Sequence, residues 1–370
     1  MDVAFGVYVH VPFCRDRCDY CAFSTYSDRD HLMSRYVDAV IDEVRDAYRS
    51  GGYRRASSVY FGGGTPSRLG ADELVRIADA IPVVKGAEVT VECNPEDATI
   101  EKLSAYKEAG VTRMSFGVQS TLNHVLESLG RRSASLAIGD RRGAGSIPEM
   151  LAGVVDEVGF ESWNLDLIYG AVDESDEDWR KVVTEIVSMS SRPPHLSLYA
   201  LTVEPGTVLA SDPRRRPDDD VQAARYEYAN SLLESYGYRW EEISNWALPG
   251  HGCRHNQLYW SQGNYLGIGS AAHSHVEGRR WSNIRDPERY IRALNAGLSP
   301  SVAQETLSDS EREFEKLALS IRTPFGVPVS ALAVTSSDLV ERKGDRAVLS
   351  VRGRLVANDL TTRLITAQRS

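Results

Sequence analysis

The sequence predicts an α/β protein: a partial barrel of six strand–helix units, followed by a small C-terminal domain that is like a winged helix. Through roughly the first 200 residues, short apolar runs alternate with helical patterns, a rhythm typical of parallel sheets. Six units are too few to close an eight-stranded barrel, so a partial barrel is expected. Near the end of the chain, a helical pattern precedes a hairpin-like segment with a turn at 343–345, which predicts the winged-helix-like domain.

The predicted elements follow one another in chain order. Each strand is a short, mainly apolar run, and the predicted strands are 6–11, 58–61, 88–92, 113–117, 163–169 and 195–201. Helical patterns occupy 31–48, 71–81, 100–109, 177–188, 221–236 and 311–321. These elements predict a barrel over 1–205, a barrel extension over 206–300 that is rich in Trp, Tyr, Gly and His, and the C-terminal domain over 301–370.

Composition and charge are those of an ordinary globular protein. They argue against nucleic-acid binding and against a membrane span. The chain has 370 residues, 42% of them hydrophobic and 25% charged, with a formal net charge of −10. This negative charge disfavours nucleic-acid binding. The basic run at 214–216 is expected to be a solvated loop, because acidic residues follow it at 218–220. No apolar stretch approaches the ~18 residues of a membrane span, and no signal peptide is expected.

Three of the five cysteines lie within eight residues, directly after the first predicted strand. Cys14, Cys18 and Cys21 have the spacing CxxxCxxC, which indicates a metal site in a reducing cytosol and therefore a cytoplasmic protein. Three thiolates on one loop can hold three irons of a cubane [4Fe-4S] cluster, leaving the fourth iron free for a substrate's amino and carboxylate groups. A zinc site completed by Cys93 or a histidine is the alternative that the cysteines alone leave open.

Glycines and polar residues follow the later strands, at the sheet edge where ligands bind in parallel α/β folds. The glycines of 62–64 let a ligand approach the backbone, and no Gly-Lys-Ser/Thr follows to indicate a phosphate loop. A carboxylate at this edge can accept hydrogen bonds from ribose or ammonium groups. Each residue alone is more often a surface or capping group, but their joint placement favours a shared ligand. The residues are Gly63, Gly64, Thr65, Glu92, Asn94, Gln119, Arg131, Asp166 and Ala200.

With these strand-end segments, the CxxxCxxC loop resembles the radical S-adenosylmethionine (radical SAM) superfamily. The resemblance implies that the three cysteines hold a [4Fe-4S] cluster whose open iron binds S-adenosylmethionine. Tyr8 and Tyr20 flank the cysteines and would lie on the adenosine side, with core packing as the alternative. The implied contacts of S-adenosylmethionine are Tyr8, Tyr20, Gly63, Gly64, Thr65, Glu92, Gln119, Arg131, Asp166 and Ala200.

Over nearly its whole length the chain is similar to the oxygen-independent coproporphyrinogen III oxidase group, which includes a heme-chaperone (HemW) branch. The segments that carry this similarity are 8–14, 61–67, 92–96, 117–120 and 166–170. Three features favour the chaperone branch: Phe23 stands where the oxidases have a further cysteine, no arm is expected before strand one, and residues 255–260 match the HNxxYW signature. Two segments depart from the group's pattern, the Gly/Arg-rich stretch 139–145 and residues 171–172.

The HNxxYW signature implies a heme site on this chain. The imidazole of His255 can ligate heme iron, and Tyr259 and Trp260 offer flat apolar faces to a porphyrin. A structural loop at a domain interface is the alternative. Further candidates for iron or propionate contacts are His251, His273, His275, Arg254 and Arg280.

The resemblance therefore implies a heme chaperone that passes heme to an acceptor, such as a respiratory protein of the membrane. Its expected cofactors are a [4Fe-4S] cluster, S-adenosylmethionine and heme. Radical decarboxylation of coproporphyrinogen III is the alternative function, and cleavage of S-adenosylmethionine is left open.

Overall fold

The structure, a computed structural model, describes residues 4–131, 146–332 and 338–369 and has a mixed α/β fold. The departure that the sequence predicts at 139–145 lies outside these residues. Within the described ranges, no helix is both long and apolar enough to cross a membrane. The residues belong to one twelve-stranded sheet with surrounding helices and to a separate three-stranded sheet near the C-terminus.

Six parallel strands form the centre of the large sheet, side by side in chain order. The strands are β1 (Phe5–Val11), β2 (Ala56–Gly63), β3 (Val83–Cys93), β4 (Arg113–Gln119), β5 (Ser162–Tyr169) and β6 (His195–Ala200). The helices among them are α1 (Met33–Ser50), α2 (Ala71–Ala80), α3 (Ile100–Glu108), α4 (Asn123–Ser128), α5 (Ile147–Val158) and α6 (Asp176–Ser188). The predicted α/β fold and its six parallel strands are confirmed.

Burial on both faces of these strands is typical of a parallel sheet. In β1, Val7, Val9 and Val11 are fully buried and so are most of their neighbours, as expected for strands covered by helices on one face and by the protein interior on the other. The covering helix α1 buries Tyr36, Val40 and similar side chains along one stripe, which is the pattern of a helix packed on a sheet.

Residues beyond β6 extend the sheet on both sides. After α7 (Asp219–Ser235), β8 (Asn245–Ala247) pairs antiparallel with β6, and β7 (Arg239–Glu242) pairs antiparallel with β8. After α8 (Arg254–Trp260), β9 (Asn264–Ile268) pairs parallel with β1. Antiparallel pairing then adds β10 (His273–Val276), β11 (Arg279–Asn283) and, after α9 (Pro287–Asn295), β12 (Ser301–Thr306). Because β12 and β7 are the outermost strands, the described sheet is open.

The C-terminal region contains α10 (Asp309–Ser320) and a small antiparallel sheet of β13 (Val327–Pro328), β14 (Val340–Lys343) and β15 (Arg346–Leu349). The predicted hairpin turn at 343–345 is present, but its second strand ends at Leu349 rather than near Val356. The Ser350 hydroxyl accepts a hydrogen bond from the Gly353 N–H and begins α11 (Val351–Leu355), which is followed by α12 (Ala357–Arg369). The winged-helix comparison and the domain boundaries stay predictions.

Candidate functional site

The loop between β1 and α1 carries the three predicted cluster cysteines and is tied to the barrel at several points. At its base, the Cys14 N–H donates to the Tyr26 carbonyl (3.0 Å) and the Tyr26 N–H donates to the Pro12 carbonyl (2.8 Å). Further along, the Asp19 N–H donates to the Leu129 carbonyl (3.2 Å). These bonds hold the loop at the carboxyl edge of the sheet, with all three cysteine side chains half-buried.

The thiols of this loop have the donor chemistry of an iron–sulfur site. Burial raises the pKa of Cys14 to about 11, partly opposed by the Thr65 hydroxyl, which lies 3.7 Å from its Sγ. Burial also raises the pKa of Cys18, and the charge of Arg131 opposes that rise. Iron would therefore displace protons from these thiols. No group of three or more His, Cys, Asp and Glu side chains in the described chain is arranged to hold a single metal ion. A cubane cluster instead distributes three thiolates over three irons.

The glycine segment after β2 is packed against the chain that leads into Cys14. The Gly64 N–H donates to the Val11 carbonyl and the Thr65 N–H to the Phe13 carbonyl, both at 2.8 Å. A Cβ on Gly64 would lie 2.8 Å from each of those carbonyl oxygens. Glycine is therefore required here by close backbone packing, in addition to the ligand access that the sequence predicts.

One cavity of about 520 Å³ lies at this edge, and we call it the cluster cavity. It brings together every predicted cluster and S-adenosylmethionine residue except Tyr8. Those residues are Cys14, Cys18, Tyr20, Cys21, Gly63, Gly64, Thr65, Glu92, Gln119, Arg131, Asp166 and Ala200. The side chain of Tyr8 instead lines a neighbouring cavity, where its hydroxyl lies 3.1 Å from Nδ1 of His10.

Two carboxyl groups in the cluster cavity are poised to meet a positive charge. Glu92 accepts hydrogen bonds from the Tyr60 hydroxyl (2.8 Å) and the Gly63 N–H (3.2 Å). Burial, followed by the nearby charge of Asp166, raises the pKa of Glu92 to about 7. Burial likewise raises the pKa of Asp166. A bound cation would favour the ionised form of both groups, so this part of the cavity suits a ligand with an ammonium or sulfonium centre.

On the other side of the cavity, Arg131 is buried and bound to the ends of two strands. Its Nη2 donates to Oδ1 of Asn94 (2.9 Å) and to the carbonyl of Gly117, while its buried Nε has no hydrogen-bond partner within the described chain. Gln119, at the end of β4, has a positive φ of 69°, which non-glycine residues adopt rarely. This unusual backbone at a cavity wall is typical of binding sites.

Sequence reasoning missed the residues that hold the two carboxyl groups in place. Tyr60 binds Glu92, as described above. Asn164 donates to Oδ1 of Asp166 (2.7 Å), and the Ser115 hydroxyl lies 3.4 Å from Oδ2. The alternation of side chains between the two faces of β5 could have identified Asn164. It is two residues from Asp166, so both side chains lie on the same face of the strand.

The three predicted heme residues lie on α8, and none of the three cavities contains all of them. His255 is fully buried, with Nδ1 at 2.9 Å from the Ser58 hydroxyl and Nε2 at 2.8 Å from the Tyr259 hydroxyl. Burial lowers the pKa of His255 to about 3, so the ring is neutral and enclosed. Tyr259 lines both the cavity that contains Tyr8 and a third cavity near the C-terminal sheet, and Trp260 lines that third cavity as well.

The cavity lined by Tyr8 and Tyr259 has a volume of about 880 Å³, and we call it the sheet-face cavity. One wall is a single face of β9–β11, and the other includes α10. At its floor it adjoins the cluster cavity, because Phe23, Gly63 and Glu92 line both. The wall residues on β9–β11 are Tyr265, His273, His275, Arg280 and Ser282.

Comparison with known proteins agrees with this geometry. Residues 8–186 match the family model of the radical SAM superfamily, which is the class that the cysteine loop and parallel sheet indicate. The chain is 37% identical to the heme chaperone HemW of Mycobacterium tuberculosis, over 98% of this chain and 95% of that protein. It is 34% identical to heme chaperone HemW of Escherichia coli, over 77% of this chain and 75% of that protein. The chain belongs to the HemW family of radical SAM proteins, and the predicted resemblance is confirmed.

A solved structure also shares this fold. It is that of the coproporphyrinogen III oxidase HemN from Escherichia coli, described as a radical SAM enzyme. The TM-score is 0.80 at 20% identity, and the match covers 98% of this chain and 90% of that one. At this identity the similarity establishes the fold, including the open parallel sheet.

Proposed function

We propose that this protein is a heme chaperone: it binds heme and transfers it to an acceptor protein, while carrying a [4Fe-4S] cluster and exchangeable S-adenosylmethionine. The observation that carries the proposal is the pair of adjoining cavities. One contains the three cysteines and all the predicted S-adenosylmethionine contacts except Tyr8, and the other is large and lined by aromatic and histidine side chains. Its volume of about 880 Å³ lies in the range of sites for organic cofactors.

The residues of the cluster cavity fit the two groups that the family implies. Cys14, Cys18 and Cys21 would bind three irons, and the fourth iron would take the amino and carboxylate groups of S-adenosylmethionine. Glu92 and Asp166 supply negative charge for the cationic ligand. When bound and reduced, the cluster supplies an electron that can cleave S-adenosylmethionine. The protein's own contribution is to hold and neutralise these groups in a partly enclosed cavity.

The acceptor of heme is proposed to be another protein, and a respiratory protein of the membrane fits the chemistry of the cargo. A cytoplasmic location would suit the free cysteines, which need reducing conditions. The roles predicted for His255, Tyr259 and Trp260 remain predictions. Of these, Tyr259 is the one that lines the sheet-face cavity.

Anaerobic reconstitution followed by heme titration tests the proposal, with and without S-adenosylmethionine. We expect one heme per chain and a shifted Soret band. A wild-type protein that retains its cluster but gives no Soret shift would refute the heme function.

Oxidation of coproporphyrinogen III is the second candidate, because the sheet-face cavity adjoins the cluster cavity and has room for a tetrapyrrole. Phe23 argues against it, since the oxidases have a cysteine at this position. The reduced, reconstituted protein should therefore form no protoporphyrinogen from coproporphyrinogen III. Product formation in that assay would favour the oxidase.

A further inference from the structure

His275 has a ring nitrogen without a hydrogen-bond partner among the described residues. The side chain is 4% exposed and lines the sheet-face cavity. Its Nδ1 lies 3.0 Å from the carbonyl oxygen of Gly263, which can only accept a hydrogen bond. In the neutral ring the proton is therefore on Nδ1, and the lone pair is on Nε2. Within the described residues Nε2 is buried and has no partner, which costs free energy unless a ligand supplies one.

This arrangement is the one that metal-binding histidines commonly adopt. A backbone carbonyl fixes the tautomer and orientation of the ring through one nitrogen, and the other nitrogen binds the metal. In the sheet-face cavity, His275 has a carbonyl partner on one ring nitrogen and no described partner on the other. His10 has both ring nitrogens within hydrogen-bond distance of partners, at 3.1 Å from the Tyr8 hydroxyl and 3.0 Å from the Ser24 carbonyl.

The surroundings of His275 suit a flat, anionic, aromatic ligand. The rings of Tyr259 and Tyr265 meet edge-to-face at 4.5 Å beside it, and Phe23 exposes 68% of its surface at the cavity floor. At the rim, Arg285 is exposed and makes no ion pair with any described residue. Aromatic faces can pack against a porphyrin, and a free guanidinium can pair with a propionate.

His255 does not offer a comparable site. Both of its ring nitrogens have partners, it lines none of the three cavities, and it is fully enclosed. Its contact with the Tyr259 hydroxyl holds that tyrosine at the wall of the sheet-face cavity. The histidine of the HNxxYW segment thus positions the tyrosine rather than reaching the cavity itself.

We propose that heme binds in the sheet-face cavity with Nε2 of His275 as an axial ligand of the iron and Arg285 facing a propionate, an inference that rests on the proposed heme function. The bound heme would then lie beside the cluster cavity, with Phe23 and Glu92 between the two ligands. His255 would act as a positioning residue for Tyr259.

The test is heme titration followed by the Soret band, using wild type, His275→Asn, His273→Asn, His255→Gln and His31→Asn. Asparagine at 275 keeps a donor for the Gly263 carbonyl but removes the iron ligand, and circular dichroism checks its fold. His273→Asn tests the neighbouring histidine on the same cavity wall, and His31→Asn, at an exposed position on none of the three cavities, is the matched control. We expect His275→Asn to bind heme at least about tenfold more weakly and to lose the wild-type Soret position. His31→Asn should keep the wild-type affinity and the wild-type Soret position.

Imidazole rescue separates ligation from packing. His275→Ala should regain the wild-type Soret position when imidazole is added with heme, because imidazole replaces the lost nitrogen. If wild type binds heme and His275→Asn keeps the wild-type spectrum, the assignment of His275 is wrong while the heme function stands. The assignment is equally wrong if only His255→Gln or His273→Asn loses the spectrum. If wild type itself binds no heme, the proposed function fails instead.

Discussion

Replacing Glu92 with glutamine should change how the stability of the ligand-free protein depends on pH. The structure raises the pKa of Glu92 from its ordinary value of 4.5 to about 7, mainly through burial. Below pH 4.5 the carboxyl is protonated in both the folded and the unfolded chain. As the pH rises towards 7, the unfolded chain loses this proton more readily, so the free energy of unfolding falls.

The magnitude follows from the size of that pKa change. A tenfold change in proton affinity corresponds to about 1.4 kcal/mol, so ionising Glu92 in the fold costs about 3 kcal/mol above pH 7. Glu92→Gln cannot ionise and avoids this cost. The free energy of unfolding of the variant, relative to that of wild type, should therefore rise by about 2 to 3 kcal/mol between pH 5 and pH 8. We also expect a pH-independent decrease in the free energy of unfolding of the variant. Glutamine has only one acceptor oxygen for the Tyr60 and Gly63 donors.

Urea unfolding of both proteins, without metal or S-adenosylmethionine, measures the difference at each pH. Buried carboxyls and histidines that do not interact with Glu92 titrate in both proteins and cancel in that difference. Asp166 repels the Glu92 charge, and the loss of that repulsion adds to the variant's gain at high pH. Glu161→Gln, at an exposed position just before β5, is the matched control, and we compare the pH dependence of the two differences. A pH-independent difference for Glu92→Gln, or a loss of its relative stability with rising pH, would refute the reasoning.

Three further substitutions test packing and the proposed heme site. Gly64→Ala places a methyl group 2.8 Å from two carbonyl oxygens and should lower the free energy of unfolding by about 1 to 3 kcal/mol; an unchanged urea midpoint would contradict this. Ser58→Ala removes the partner of His255 Nδ1 and should cost about 1 to 3 kcal/mol, and wild-type stability would contradict that role. Phe23→Ser should weaken heme binding about tenfold, because the exposed ring loses apolar contact worth about 1 to 2 kcal/mol. Phe325→Ser, similarly exposed but on none of the three cavities, should bind heme as wild type does, and equal affinities in the two variants would exclude Phe23 from the site.

The central strands were predictable because burial leaves a local signal in the sequence. Buried parallel strands such as β1 and β5 are short, nearly continuous apolar runs, and the six predicted strands match β1–β6 to within a few residues, the largest difference being the earlier start of β3. The strands β7–β12 were not predicted. They have three to six residues each, and β12 is largely exposed, so neither length nor alternation distinguishes them from loops.

The candidate site was predictable where topology alone decides it. Parallel strands in chain order bring their carboxyl ends to one edge, so Gly63, Glu92 and Gln119 had to lie close together. Tyr8 shows the limit of this reasoning. It lies within β1, and which cavity its side chain enters depends on the twist of the sheet and on His10, two residues along. His255 shows another limit. Histidine can bind iron, but the sequence does not show that this histidine is fully buried.

The wall shared by the two cavities links the two proposed ligands physically. Glu92 lines both cavities, and its pKa near 7 leaves its charge sensitive to its surroundings. A cation in the cluster cavity favours the ionised carboxylate, and that negative charge then faces whatever occupies the sheet-face cavity. Heme with its anionic propionates would therefore be bound differently before and after S-adenosylmethionine binds. Because binding free energies are reciprocal, heme bound as proposed would alter the affinity for S-adenosylmethionine by the same factor.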